Sequence, residues 1–292
     1  NIIRQLKGKS MKVIEKQIIG KNPKKKPEDG IVVTDNFIAV IDGSTSKATE
    51  RVSRWYSNGR LCMKVISRFI RKAPANITID AFLKGVTEAV RKKYSSKRLD
   101  FYAQHPEERI TASCIVYSRL QRQLWIIGDC QCLVGKTGCN DDEYEYFDNP
   151  KPYESVVAKG RAERARQLMA SGEATVESLL SDDVARQAVI PQMIESMKRQ
   201  NIDYAVVDGF KIPRQKVKVF TFDFEAWTII IASDGYPILR PTLAQSEAAL
   251  EEQRQKDPLN IGNNTANPFM ATKAFTEGYA SFDDRSYVRF TI

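Results

Sequence analysis

Several acidic residues stand where an apolar run should leave a β-sheet. Asp42 closes FIAVIDG (37–43), Asp129 closes LWIIGD (124–129), Asp234 follows the run in TIIIASDG (228–235), and Asp283 precedes the last strand in SFDDRSYVRF (281–290). The pair Glu28-Asp29, in PEDG (27–30), precedes the strand that leads to Asp42. Carboxylates gathered in one cleft cannot all stay ionised and unpaired, because burial and like charge both raise their pKa. A hard divalent cation, Mg²⁺ or Mn²⁺, removes the conflict, since it takes oxygen ligands and keeps several waters. Two such ions sharing aspartates activate a bridging water and clamp phosphoryl oxygens for in-line attack. Gly43 fits this chemistry, because a residue without a side chain lets its carbonyl approach an ion. Any single Asp-Gly pair is an ordinary turn; the ordered set is what suggests a site.

The elements that would position these carboxylates are short strands in hairpin-like clusters. Apolar or alternating runs fill 11–43, 110–136 and 204–234, and RSYVRFTI closes the chain at 285–292. Between them lie helical patterns: Leu61, Val65 and Phe69, then Phe82, Val86, Val90 and Tyr94, then 153–170 and 175–200, with another helix after Pro241. Clustered strands without strict alternation predict antiparallel sheets covered by helices, an α+β fold. No repeat or long linker divides the sequence, so a single domain over 1–292 is expected. Residues 256–270 form its longest irregular loop.

Bulk composition narrows the function classes. The 292 residues are 42% hydrophobic and 28% charged, ordinary for a globular protein. Runs such as WTIII are too short to span a bilayer, and no charged-then-apolar leader opens the sequence; a cytoplasmic protein without a membrane partner is expected. The net charge of +9 favours anionic partners. The basic runs lack interleaved aromatics, however, so nucleic acid is disfavoured and a phosphorylated partner preferred. Five cysteines, Cys62, Cys114, Cys130, Cys132 and Cys139, form no regular framework and are expected to be free thiols. With His105 as the only histidine, a zinc site is not expected, and Cys130 and Cys132 read as neighbours on one strand face.

In order, Glu28-Asp29, Asp42-Gly43, Thr111-Ala112-Ser113, Gly128-Asp129, Ala232-Ser233-Asp234-Gly235 and Asp283-Asp284-Arg285-Ser286 span nearly the whole chain. This succession resembles the metal-dependent Ser/Thr protein phosphatases of type 2C, the PPM class. QLMASGEATVESLL (167–180) also resembles that family's helices. The resemblance implies a four-layer α-β-β-α sandwich and a phosphoserine/phosphothreonine phosphatase whose nucleophile is a water bridging two Mn²⁺ or Mg²⁺ ions. It implies Asp42 as the bridging ligand, with the Gly43 carbonyl on one ion and Asp234 and Asp283 on the other. Asp29, with Glu28 through water, would complete the shell, and Asp129 would serve a third, weaker ion.

The departures fall on the substrate side. The position after Asp-Gly, often a histidine acid in the family, is Ser44 here, which makes Ser44 the candidate catalytic position beside Asp42. Lys24, Lys25 and Lys26 stand where many members carry an arginine for the substrate phosphate, and lysine is a point charge that cannot make the bidentate contact. Tyr236-Pro237 replaces the usual Trp-Asp pattern. A catalytically weak or inactive binding module is the alternative that these changes favour. Asp208-Gly209 imitates the metal-strand pattern and is expected to be a plain turn.

Overall fold

The computed structural model describes residues 11–292. Two five-stranded antiparallel sheets face each other. One has the order β2 (Gly30–Val33), β3 (Phe37–Gly43), β4 (Ala112–Ser118), β5 (Gln123–Ile127) and β8 (Lys218–Thr221). The other has the order β1 (Lys12–Ile19), β10 (Arg285–Thr291), β9 (Trp227–Ala232), β6 (Gln131–Lys136) and β7 (Glu145–Phe147). The expected α+β sandwich is the observed fold.

Alternation along the strands divides the core into layers. Ile38, Val40, Ile115, Tyr117 and Ile126 meet Cys130, Cys132, Ile229, Ile231 and Val288 between the sheets. The other face of β3 and β4, with Ala39, Ile41, Cys114 and Val116, packs against helices α1 (Asn58–Lys72) and α2 (Ile79–Arg91). Phe82 and Val86 of α2 are there as the helical spacing anticipated, whereas on α1 the fully buried contacts include Cys62 and Ile66, with the anticipated Val65 buried and Leu61 and Phe69 partly buried beside them. On the outer face of the second sheet, Leu133, Ile230 and Tyr287 pack with Tyr236, Leu239 and Leu243. Leu243 opens the last helix, α7 (Leu243–Lys256). Cys130 and Cys132 share one apolar layer, and all five cysteines are free.

A short α3 (Leu99–Gln104) precedes β4, and α4 (Glu154–Ala170), α5 (Val176–Ser181) and α6 (Val184–Met197) form a separate cluster. Ala162, Ala165, Leu168, Leu179 and Ala185 pack there with Leu259, Ile261 and Ala274. The helix expected over 175–200 is broken in two. Asp183 stops the continuation by capping α6, accepting the Arg186 peptide N–H at 2.9 Å. No helix among the described residues is long and apolar enough to cross a membrane.

The segment YAVVDG (204–209) does not join either sheet; Val207 makes an isolated bridge to Ala112 and Tyr204 one to Gln200. Asp208-Gly209 is a turn, with Gly209 at φ +86°, and it is also more than a turn. Asp208 is fully buried and accepts from Arg109 at 2.9 Å and from Gln200 at 3.0 Å.

Candidate active site

Strand register brings the acidic residues to one end of the sandwich. In the first sheet Gly30 pairs with Ile41, Gly43 with Ala112, and Cys114 with Ile127, so the start of β2 and the ends of β3 and β5 share an edge. In the second, Ala232 pairs with both Tyr287 and Gln131, which aligns the end of β9 with the starts of β10 and β6. Asp129 lies in the turn by which the chain passes from β5 to β6, and therefore from one sheet to the other. That turn needs Gly128, whose φ is +88° and whose added Cβ would lie 2.1 Å from the Ser113 Oγ.

Asp42, Gly43, Ser44, Asp129, Asp234 and Asp283 line one cavity of about 100 Å³. It opens beside a larger recess of about 410 Å³ that shares Asp129, Asp234 and Asp283. Asp29 stands behind this wall, 2% exposed. Its Oδ2 accepts from Ser286 Oγ at 2.6 Å, while its Oδ1 is buried without a hydrogen-bond partner. Glu28 turns away: it accepts from Thr45 Oγ1 at 2.9 Å and from Ser57 Oγ. It lines a separate groove of about 830 Å³ together with Lys25, Lys26 and Arg60. Lys24 lines neither space and is exposed. His105 stacks on Phe101, ring centroids 4.6 Å apart, away from the cavity.

Gly43 has a packing role that its sequence context did not suggest. A Cβ on Gly43 would lie 2.6 Å from the Gly59 carbonyl oxygen, and one on Gly59 would lie 2.5 Å from that of Ser44. The two glycines let the first turn of α1 press against the end of β3. Ser44 is held there too, its peptide N–H donating to Thr111 O at 3.0 Å.

Sequence patterns missed a second set of residues at the site, supplied by loops and helix starts. Lys151, Glu154, Thr272, Lys273, Lys47 and Arg186 line the same cavity. Asp129, Glu154 and Asp234 can each offer an oxygen within 4.8 Å of the others, the spacing of a metal-binding trio. Lys151 and Glu154 come from one turn, in which the Glu154 peptide N–H donates to Lys151 O at 3.2 Å. The flanking prolines, Pro150 and Pro152, fix φ on either side of Lys151.

The electrostatics separate the carboxylates into two groups. Burial, then Asp234 and Asp29, pushes the Asp42 carboxyl well above its ordinary range. Burial, with Asp129 and Glu154 adding repulsion, raises Asp234 to about 7. Burial raises Asp29 to about 6 against the bonds from Ser286 and Ser233, and raises Glu154 as well. Asp129 is the exception: burial works against its charge, but Lys151 and Ser113 prevail and hold it low. The Lys151 ammonium is held up in turn by Asp129 and Glu154 against its own burial. Asp283 takes Lys21 at 2.8 Å and also Lys273. Burial, with Lys21 and Arg186 nearby, pushes Lys273 well down.

The donor set is chemically suited to a hard cation: clustered carboxylates, several with pKa raised by burial and then by mutual repulsion, with an unpartnered carboxylate oxygen on Asp29 behind them. Among the described residues, no ion pair engages Asp42, Glu154 or Asp234.

No family model matches the chain, and no curated protein matches it. Similar solved structures include the Mycobacterium tuberculosis serine/threonine phosphatase PstP (11% identity, 97% of this chain and 98% of that one, TM-score 0.45). The PstP catalytic domain in complex with two manganese ions is similar over 97% and 99% of the two chains, at 11% identity and TM-score 0.46. The Staphylococcus aureus serine/threonine phosphatase Stp1 is similar at 13% identity over 95% and 94%, with TM-score 0.44. These likenesses are distant.

Proposed function

We propose that this protein is a phosphomonoesterase that removes phosphate from phosphoserine or phosphothreonine in proteins, using Mn²⁺ or Mg²⁺. The observation that carries this reading is the convergence of Asp42, Asp129, Asp234 and Asp283, from four separate strand boundaries, on one cavity. Their order along the chain is that of the type 2C phosphatases, which supports the same conclusion. A bound divalent ion would supply an activated water and positive charge for the phosphoryl oxygens. Asp42 and Asp234 are its principal holders, with Glu154 beside them and Asp29 behind.

The chain's own groups would handle the substrate. Lys47 and Arg186 line the cavity and offer positive charge to a phosphoryl group. Ser44 lines the same space, and a hydroxyl there would serve as a hydrogen-bond donor. Asp283 completes the acidic wall. The groove that carries Glu28, Lys25 and Lys26 adjoins this space through Thr45, and would receive the residues flanking the phosphorylated one. Lys24 stands at the edge of that basic stretch.

Purified protein with Mn²⁺ should hydrolyse an aryl phosphate, and Asp42→Asn or Asp234→Asn should reduce turnover to background. Wild-type turnover no greater than that of Asp42→Asn would instead support a binding module that retains the fold without the catalysis. The lysine pairings of Asp129 and Asp283 are the observation that favours this second reading.

A further inference from the structure

The carboxylates of the cavity do not all need a metal, because two of them already hold cations that belong to the chain. Asp129 has both oxygens engaged: Oδ1 accepts from Ser113 Oγ at 2.5 Å, and Oδ2 accepts from Lys151 Nζ at 2.5 Å. Asp283 is equally filled: Oδ1 accepts from Lys21 Nζ at 2.8 Å and from the Asp284 peptide N–H at 2.9 Å, and Oδ2 accepts from Lys273 Nζ. No side-chain hydrogen bond engages the carboxylate of Asp42 or Asp234 among the described residues.

Lys151 is placed where an ion would be expected. It lines the cavity together with Asp129, Glu154 and Asp234, the trio with metal-binding spacing. An ammonium and a divalent cation on the same oxygens repel one another at contact distance in a poorly screened cavity. A carboxylate saturated by lysine is therefore withdrawn from the metal.

We propose that Lys151 and Lys21 are resident counter-ions that replace further divalent ions, so that this cavity takes one divalent cation, held by Asp42 and Asp234. The inference rests on the proposed function only in taking a hard divalent cation as the occupant. The turn that presents Lys151 and Glu154 is the device: it delivers a fixed positive charge and an additional carboxylate at once. Metal demand falls from a cluster to a single ion, and in the metal-free protein Asp129 and Asp283 stay neutralised.

Mn²⁺ titrated calorimetrically into the chelator-stripped full chain, with ions counted by native mass spectrometry, tests this directly. The wild type should bind one Mn²⁺ per chain, Lys151→Met should bind two, and Lys151→Arg should keep one. In chelator the wild type should unfold in one transition, while Lys151→Met melts lower and gains more from Mn²⁺ than the wild type does. Lys21→Met is the second variant should Lys151→Met fail to fold, and it should show the same rise in count. Two or more ions on the wild type, none at all, or an unchanged count in both methionine variants would overturn the proposal. An aryl phosphate assay on the same samples separates it from the functional reading. One ion without turnover sinks the phosphatase and leaves the counter-ions standing; two ions with turnover does the reverse.

Discussion

Lys151 Nζ lies 2.5 Å from Asp129 Oδ2, in the turn that carries the chain from one sheet to the other. The contact joins a residue anticipated from a strand-end pattern to one that no pattern singled out. It also decides how the cavity distributes charge, because Asp42 and Asp234 are left to repel each other without an ion-paired lysine.

Asp42→Asn or Asp234→Asn should therefore stabilise the metal-free protein while abolishing turnover. Each carboxyl is partly buried and held above its ordinary pKa, so replacing either one relieves the desolvation and repulsion it costs at neutral pH. The expected rise in midpoint is a few degrees, since about 1 kcal/mol shifts Tm by roughly 2–4 °C in a domain of this general size. Thermal unfolding in chelator measures it, and a lower midpoint in both variants would count against the electrostatic account.

Arg109→Met should destabilise the fold in a pH-dependent way. Burial already holds the Asp208 carboxyl above its ordinary value despite Arg109 beside it. The folded state thus binds that proton more tightly than the unfolded chain, and the group costs stability as pH rises above 3.8. Without Arg109 the carboxyl rises further, so the variant's deficit grows with pH. Breaking a buried pair costs about 3–5 kcal/mol at neutral pH. Urea unfolding at acid and neutral pH should give the larger loss at neutral pH; an equal loss at both would contradict this.

Gly59→Ala should weaken the fold and disturb the cavity although it removes no acidic residue. Its Cβ would meet backbone at 2.5 Å, so β3 or α1 must shift, a strain of about 1–3 kcal/mol. The check is denaturant unfolding beside Mn²⁺ affinity, and both should fall.

The native protein should react slowly at four of its five thiols. Cys62, Cys114, Cys130 and Cys132 are buried, and burial pushes Cys114 and Cys132 up to about 12. Cys139 is half-buried. A thiol-exchange reagent at neutral pH should titrate at most one thiol rapidly and all five after unfolding.

Much of the fold was legible in the sequence because its signals were local. Short apolar or alternating runs marked β3, β4, β9 and β10, and the spacing of Phe82, Val86 and Val90 marked α2. The break between α5 and α6 was missed because it depends on one capping aspartate, Asp183, inside an otherwise helical pattern. At the site, Asp42, Asp129, Asp234 and Asp283 could be found because each stands beside an apolar run, the first three where it leaves a sheet and Asp283 where the last strand enters one. Glu154, Lys151 and Lys273 could not: they lie in loops or at a helix start, and only tertiary packing brings them to the cavity. Glu28 and Asp29 are adjacent in sequence yet face different spaces, since successive residues entering a strand point to opposite sides.

The most direct test of the central claim is release of inorganic phosphate from a phosphoserine peptide by the wild-type protein and Asp234→Asn, each with and without Mn²⁺. Turnover should appear only in the wild type with Mn²⁺ and disappear with chelator. Equal release by both proteins, or none from the wild type while Mn²⁺ is bound, would contradict a phosphatase built on this cavity.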